Sequence, residues 1–219
     1  MTSASAAEAG GSVPAPGEPY TEKIAESVHA YIQPDGGWCL SNAGWISDRG
    51  ATLLVDTAAT ERRARALRES LPGSGAPAPA NTHHHGTPFF PMGSLSGSLR
   101  ARERLRALER LRALGARTVV PGHEPLAGPE AYDTAERCLR YVEELARSAH
   151  GRGLTPLEAA RGAGPGEFAE LAESERLVAN VHRAYAELDG CPPGEPLDIP
   201  SVWADTEQMN GGRPVACHA

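Results

Sequence analysis

Five side chains stand out among those of types that bind metal ions or carry protons. His83, His84 and His85 form a run, His123 follows Pro121-Gly122, and Asp56 closes a short apolar segment. Side chains alternate along an extended chain, so His83 and His85 point the same way and His84 faces away. Imidazole nitrogen is a common zinc ligand, and a catalytic zinc takes three protein ligands with a position left open for water. His83, His85 and His123 are the candidate set. A zinc so held polarises a substrate carbonyl or activates a water for hydrolysis. Asp56 has two readings. Its carboxylate can accept the second N–H of a ligand imidazole and so orient the ring. It can equally cap the helix that follows, a task open also to Thr57 or Thr60. The histidines have a plainer reading too, as a polar loop and one hydrogen-bonded side chain.

Strands that end at these residues would have to position them. Residues 28–33 (VHAYIQ) are strand-like, Pro34-Asp35-Gly36-Gly37 is a turn signal, and 38–46 reads as the return strand of a hairpin. After a second turn at Ser47-Asp48-Arg49-Gly50, the apolar run ATLLV (51–55) reads as a buried strand ending on Asp56-Thr57. Residues 60–71 read as a helix. The next segment, PGSGAPAPA (72–80), has three prolines, so it is at best an edge strand, because proline cannot donate to a ladder. The histidine run follows, then a loop over 87–98.

Residues 99–114 form an Arg-rich helix in which ERLRAL (103–108) is repeated at 109–114. Six residues fall about 120° short of two full helical turns, so the two copies cannot present the same face. This is a local duplication, not a solenoid, whose repeats are far longer. ARTVV (116–120) reads as a short strand leading into Pro121-Gly122-His123. Helices are expected at 130–150, 157–161 and 167–188, and 190–219 is rich in proline and glycine. Alternating strands and helices give an α/β or α+β chain. Its candidate residues lie just past strand ends, where such sheets gather ligands.

Composition bounds the rest. With 40% hydrophobic and 22% charged residues over 219 positions, the chain has a globular balance. Aromatics are only 5%, so the core must come mainly from Leu, Val and Ala. The net charge of −7 argues against a nucleic-acid partner and against docking on anionic lipid. No apolar run approaches the roughly 20 residues of a membrane span, and no secretory signal is visible. Cys39, Cys138, Cys191 and Cys217 are far apart, which fits reduced thiols and a cytoplasmic location. Residues 1–19 are small and Pro/Gly-rich and read as a disordered tail, with a single domain over 20–219.

The order of Asn42-Ala43-Gly44, Leu53-Leu54-Val55-Asp56-Thr57, Asn81-Thr82-His83-His84-His85-Gly86 and Val119-Val120-Pro121-Gly122-His123 resembles the metallo-β-lactamase superfamily. The resemblance implies an α/β chain built as an αββα sandwich. It also implies zinc at one edge and hydrolysis of an ester, thioester or amide in a small-molecule substrate. It assigns His83 and His85 to one metal and His123 to another, and leaves His84 as a flanking residue. The family pattern H-x-H-x-D-H is broken, with Thr87 in place of the aspartate and Pro88 in place of the last histidine. The family's middle histidine and bridging aspartate have no counterpart either. This implies an internal deletion near 86–88, a partial sandwich lacking central strands, and one zinc ion at most. Such a deletion should leave apolar faces or sheet edges uncovered. Residues 87–97 and 210–219 look similar to actinobacterial members, some of which are polyketide-pathway cyclases. Two further readings stand beside the hydrolase: a non-catalytic remnant binding a small molecule or partner, and an interaction protein acting through the Arg-rich helix.

Overall fold

The computed structural model describes residues 17–34, 39–73, 75–80, 101–123, 125–170, 173–192 and 195–215. The described residues hold both helices and a mixed sheet, so the chain is α/β in content. Four antiparallel strands run in sequence order: β1 (Tyr20–Ala25), β2 (Val28–Ile32), β3 (Ala43–Asp48) and β4 (Ala51–Val55). The β3–β4 turn is tight because Arg49 and Gly50 both have positive φ, as a two-residue hairpin turn matched to strand twist requires. Helix α1 (Glu61–Ser70) then crosses over to β5 (Ala78–Ala80), which lies parallel to β4 at the sheet edge. The proline-bearing segment is thus the edge strand that its composition allows.

The two faces of the sheet differ. Tyr31, Ala43, Trp45 and Leu54 share one face and pack with Leu67 and Leu71 from α1 and its C-terminal end. On the other face, register places Val28 beside Ile46, Ile46 beside Leu53, and Leu53 beside Ala78. Ile46 and Leu53 are 44% and 40% exposed there. Ala30 and Ile32, on the same face, are buried. Gly44 permits the close β2–β3 approach, since a Cβ there would stand 2.8 Å from the His29 carbonyl oxygen.

The helical part comprises α2 (Ala101–Ala113), α3 (Glu130–His150), α4 (Pro156–Ala163), α5 (Arg176–Leu188) and α6 (Ile199–Met209). α4 starts with a capping box in which Thr155 and Glu158 satisfy each other's backbone N–H. The core of this part is Val142, Ala146 and Ala149 of α3, Ala159 and Ala160 of α4, and Val178, Val181 and Tyr185 of α5. Few aromatics are needed because alanines let the helices approach closely. His150 pairs with Asp189 and His182 with Asp205, each at 2.8 Å, tying the end of α3 to the end of α5 and α5 to α6. No helix among the described residues is long and apolar enough to cross a membrane.

Several sequence expectations are corrected. Residues 116–120 are not a strand; only an isolated bridge joins Val119 to Ala127, so the local β-propensity finds no sheet to extend. β3 starts at Ala43, and residues 39–42 precede it without strand structure. The expected helix over 167–188 is divided: Gly166–Phe168 is one 3₁₀ turn that buries Phe168 beside Tyr141, and α5 begins only at Arg176. Glu173, with φ of 60°, interrupts the helical run. β1 and α6 were not anticipated. β1 is a largely exposed, polar edge strand, and the proline of α6 sits in its first turn, where its missing N–H costs nothing. Of the segment expected to be disordered, residues 1–16 lie outside the described residues.

Candidate functional site

Asp56 stands at the C-terminal end of β4 in a left-handed conformation, φ 60°, which aspartate tolerates better than most residues. Its N–H donates to the Ala80 carbonyl at 2.7 Å, so the ends of β4 and β5 are joined. Thr60, not Asp56, caps α1, accepting from the Arg63 N–H at 3.3 Å. Thr60 is thus the N-cap residue of α1. Ala80 is the last described residue before the histidine run. His83, His84 and His85 lie outside the described residues, as do Thr87 and Pro88.

His123 reaches the same end of the sheet through Asn42. Asn42 is 3% exposed and precedes β3, whose start pairs with the end of β4. Its Nδ2 donates to the Pro121 carbonyl at 2.9 Å, and its N–H to the Gly122 carbonyl at 2.7 Å. Its Oδ1 accepts from the Gln33 N–H at 2.8 Å. Buried Gln33 donates in turn to the Ser41 carbonyl at 2.6 Å and accepts from Arg63 of α1 at 3.0 Å. One buried amide thus ties the Pro121-Gly122-His123 loop to the end of the sheet that carries Asp56 and Ala80. These hydrogen bonds of Asn42 were not legible in the sequence, where it stood within the expected strand 38–46 and in the Asn42-Ala43-Gly44 segment of the family resemblance.

His123 also lines a cavity of about 850 Å³ bounded by α2, α3 and α5. Leu139, Val142, Ala146 and Leu188 supply apolar lining. Arg104, Arg147 and Arg183 bring positive charge, and Glu143 and Glu187 bring negative charge. Arg183 is nearly buried and donates to the Glu195 carbonyl at 3.0 Å. Burial lowers the pKa of Arg104; Glu187 partly offsets the shift and the nearby Arg183 adds to it. Burial, with a smaller contribution from Glu167, raises the pKa of the Cys138 thiol on the same wall, so it is protonated at neutral pH.

No family model matches the chain, and no curated protein matches it. The reading of the site therefore rests on its residues. Among the described residues no group of three or more His, Cys, Asp or Glu is placed to hold a metal ion. The candidate set of His83, His85 and His123 has one described member. Trp45 is a core residue, 3% exposed and stacked on His29 with ring centroids 5.1 Å apart. Trp38, Cys217 and His218 lie outside the described residues. Cys39, Cys138 and Cys191 are thiols, not disulfides.

The Arg-rich helix α2 divides its charges. Arg104 lines the cavity, and Arg112 reaches Asp133 and Glu136 of α3 at 2.7 Å each. Leu105 and Leu108 are half-buried, but their repeats Leu111 and Leu114 are 42% and 76% exposed. The rotation between the two copies is visible in these environments.

Proposed function

We propose that this chain is a metal-dependent hydrolase of the metallo-β-lactamase type, retaining a partial form of that fold and a site for a single zinc ion. His83, His85 and His123 would hold the zinc, and Asp56 would orient one of their rings. The observation that carries this reading is the convergence of Asp56, Ala80 and the Pro121-Gly122-His123 loop at one end of the sheet, joined by Asp56 N–H and by Asn42. His83 begins three residues past Ala80, at most about 11 Å of extended chain. Imidazole donors suit zinc, and three of them leave a coordination position open. When bound, zinc would supply Lewis-acid activation of water and of a substrate carbonyl. The chain's own part is positional. Asp56 accepts an imidazole N–H and so sets which ring nitrogen is left to bind, and Asn42 holds the His123 loop against the sheet. A polyketide cyclase or thioesterase activity on a small acyl substrate is the narrower form of this proposal.

A second reading, a binding protein without catalysis, draws on a separate observation. Thr87 and Pro88 stand where the family has two ligands, yet a cavity with both cationic and apolar lining opens beside His123. Elemental mass spectrometry on untagged protein, beside His123→Ala, separates the two. About one zinc per chain, lost in the variant, is the result expected of the hydrolase. No metal in either protein leaves the binding reading.

A further inference from the structure

Helices α3 and α5 each turn one stripe toward the cavity beside His123. Leu139, Val142 and Ala146 line it at helical spacing on α3, and Asn180, Ala184 and Leu188 do so on α5. The small side chains leave a space of about 850 Å³, within the range of small-ligand sites. Cys138 adds a neutral thiol. The charged groups of the wall are matched within the chain. Arg147 donates to the Glu143 carboxylate at 2.6 Å. The attraction of Glu187 for Arg104 exceeds the repulsion from Arg183, and Arg183 donates to the Glu195 carbonyl at 3.0 Å. Arg104, Arg183, Glu187 and His123 each have further partners. A charged ligand would shed its water here and meet only counter-charges that are already engaged, which is costly. Asn180 differs from these groups. It is half-buried, and its carboxamide has no hydrogen-bond partner among the described residues. A carboxamide carries both a donor and an acceptor. A ligand amide meets both at once, whereas an ester offers an acceptor alone. A mostly apolar cavity with one placed polar group is the usual form of a small-ligand site.

We propose that this cavity binds a small neutral amide with an apolar body, its amide group paired with the Asn180 carboxamide and its body over Leu139, Val142 and Ala146. The proposal goes beyond the hydrolase reading and needs no metal. It applies whether or not zinc binds near His123.

The test uses the full chain stripped of metal with a chelator, so that zinc binding and cavity binding are read separately. Hexanamide, methyl hexanoate, hexanoate and hexylammonium are titrated by calorimetry. Hexanamide is expected to bind one site, about fivefold more tightly than the ester, which cannot donate to the Asn180 oxygen. Both ions should bind at least about tenfold more weakly than the amide. Asn180→Ala removes the carboxamide and leaves a strong helix former in α5. In that variant amide and ester should bind alike. If Asn180→Ala does not fold, the site is read in the parent protein. Saturating hexanamide should slow alkylation of Cys138 by N-ethylmaleimide, as located by mass spectrometry. The proposal is overturned if hexanamide does not bind, or if the ester or either ion binds as tightly. A preference for amide over ester that survives Asn180→Ala would also overturn it, as would a Cys138 alkylation rate that hexanamide leaves unchanged.

Discussion

Asn42 does the most work of any single side chain at the candidate site. Asn42→Ala keeps its backbone bond to Gly122 but removes the acceptor for the Gln33 N–H and the donor to Pro121. A buried N–H left without its acceptor makes the expected loss about 2 kcal/mol in a urea titration. If the chain binds zinc as proposed, its zinc content should fall together with stability. Asp56 separates differently. Its φ of 60° suits glycine, so Asp56→Gly should change unfolding free energy by less than about 1 kcal/mol. If its carboxylate orients a zinc-binding imidazole as proposed, the same change should weaken zinc by about tenfold. A large stability loss with unchanged zinc affinity would make Asp56 a structural residue.

At the scale of elements, α2 is held to α3 by ion pairs as well as by packing. Arg112 bridges Asp133 and Glu136, and Arg140 donates to Glu136 from the next turn. Hydrogen bonds from Arg140 and Arg112 hold the Glu136 carboxyl below its ordinary value of 4.5. The sign follows from that lowering. The stabilisation is complete above the ordinary carboxylate pKa and is lost as pH falls through the lowered one. Amide exchange along α2 should therefore accelerate in mild acid before the α3–α5 core opens. Glu136→Gln should flatten that acid limb, and an unchanged pH profile would show that packing alone holds α2. High salt should weaken the docking because these groups are partly open to solvent. The duplicated hexad illustrates how an element reads its sequence. Identical residues in its two copies acquire different surroundings, because helical rotation and not composition decides which of them face α3.

At the scale of the whole molecule, the sheet has one face packed with α1 and one face only partly covered. The row formed by Val28, Ile46, Leu53 and Ala78 keeps two large apolar side chains in solvent. Exposed apolar surface of this kind favours self-association. The double variant Ile46→Thr, Leu53→Thr keeps β-propensity while removing apolar area. Its sedimentation coefficient should depend less on concentration than that of the parent, with the thermal midpoint nearly retained. Equal self-association in both proteins would show that this face makes no contacts in solution.

What the sequence determined by itself was local. The β2–β3 and β3–β4 hairpins, the edge character of 78–80, helix α3 and the placing of Asp56 just past a strand all follow from periodicity and turn chemistry among near neighbours. The extent of α5, the fate of 116–120 and the presence of β1 and α6 depend on contacts made elsewhere in the chain, which local propensity does not carry. The site divides in the same way. Residue types and strand ends nominated Asp56, His83, His85 and His123. Only tertiary structure showed that Thr60 takes the helix cap, that Asn42 bonds across 79 positions to the His123 loop, and that His123 borders a cavity with charged and apolar lining. The physical reason is that a buried hydrogen bond or a charged cavity wall is a relation between residues far apart in sequence, and it exists only once the chain has closed those distances.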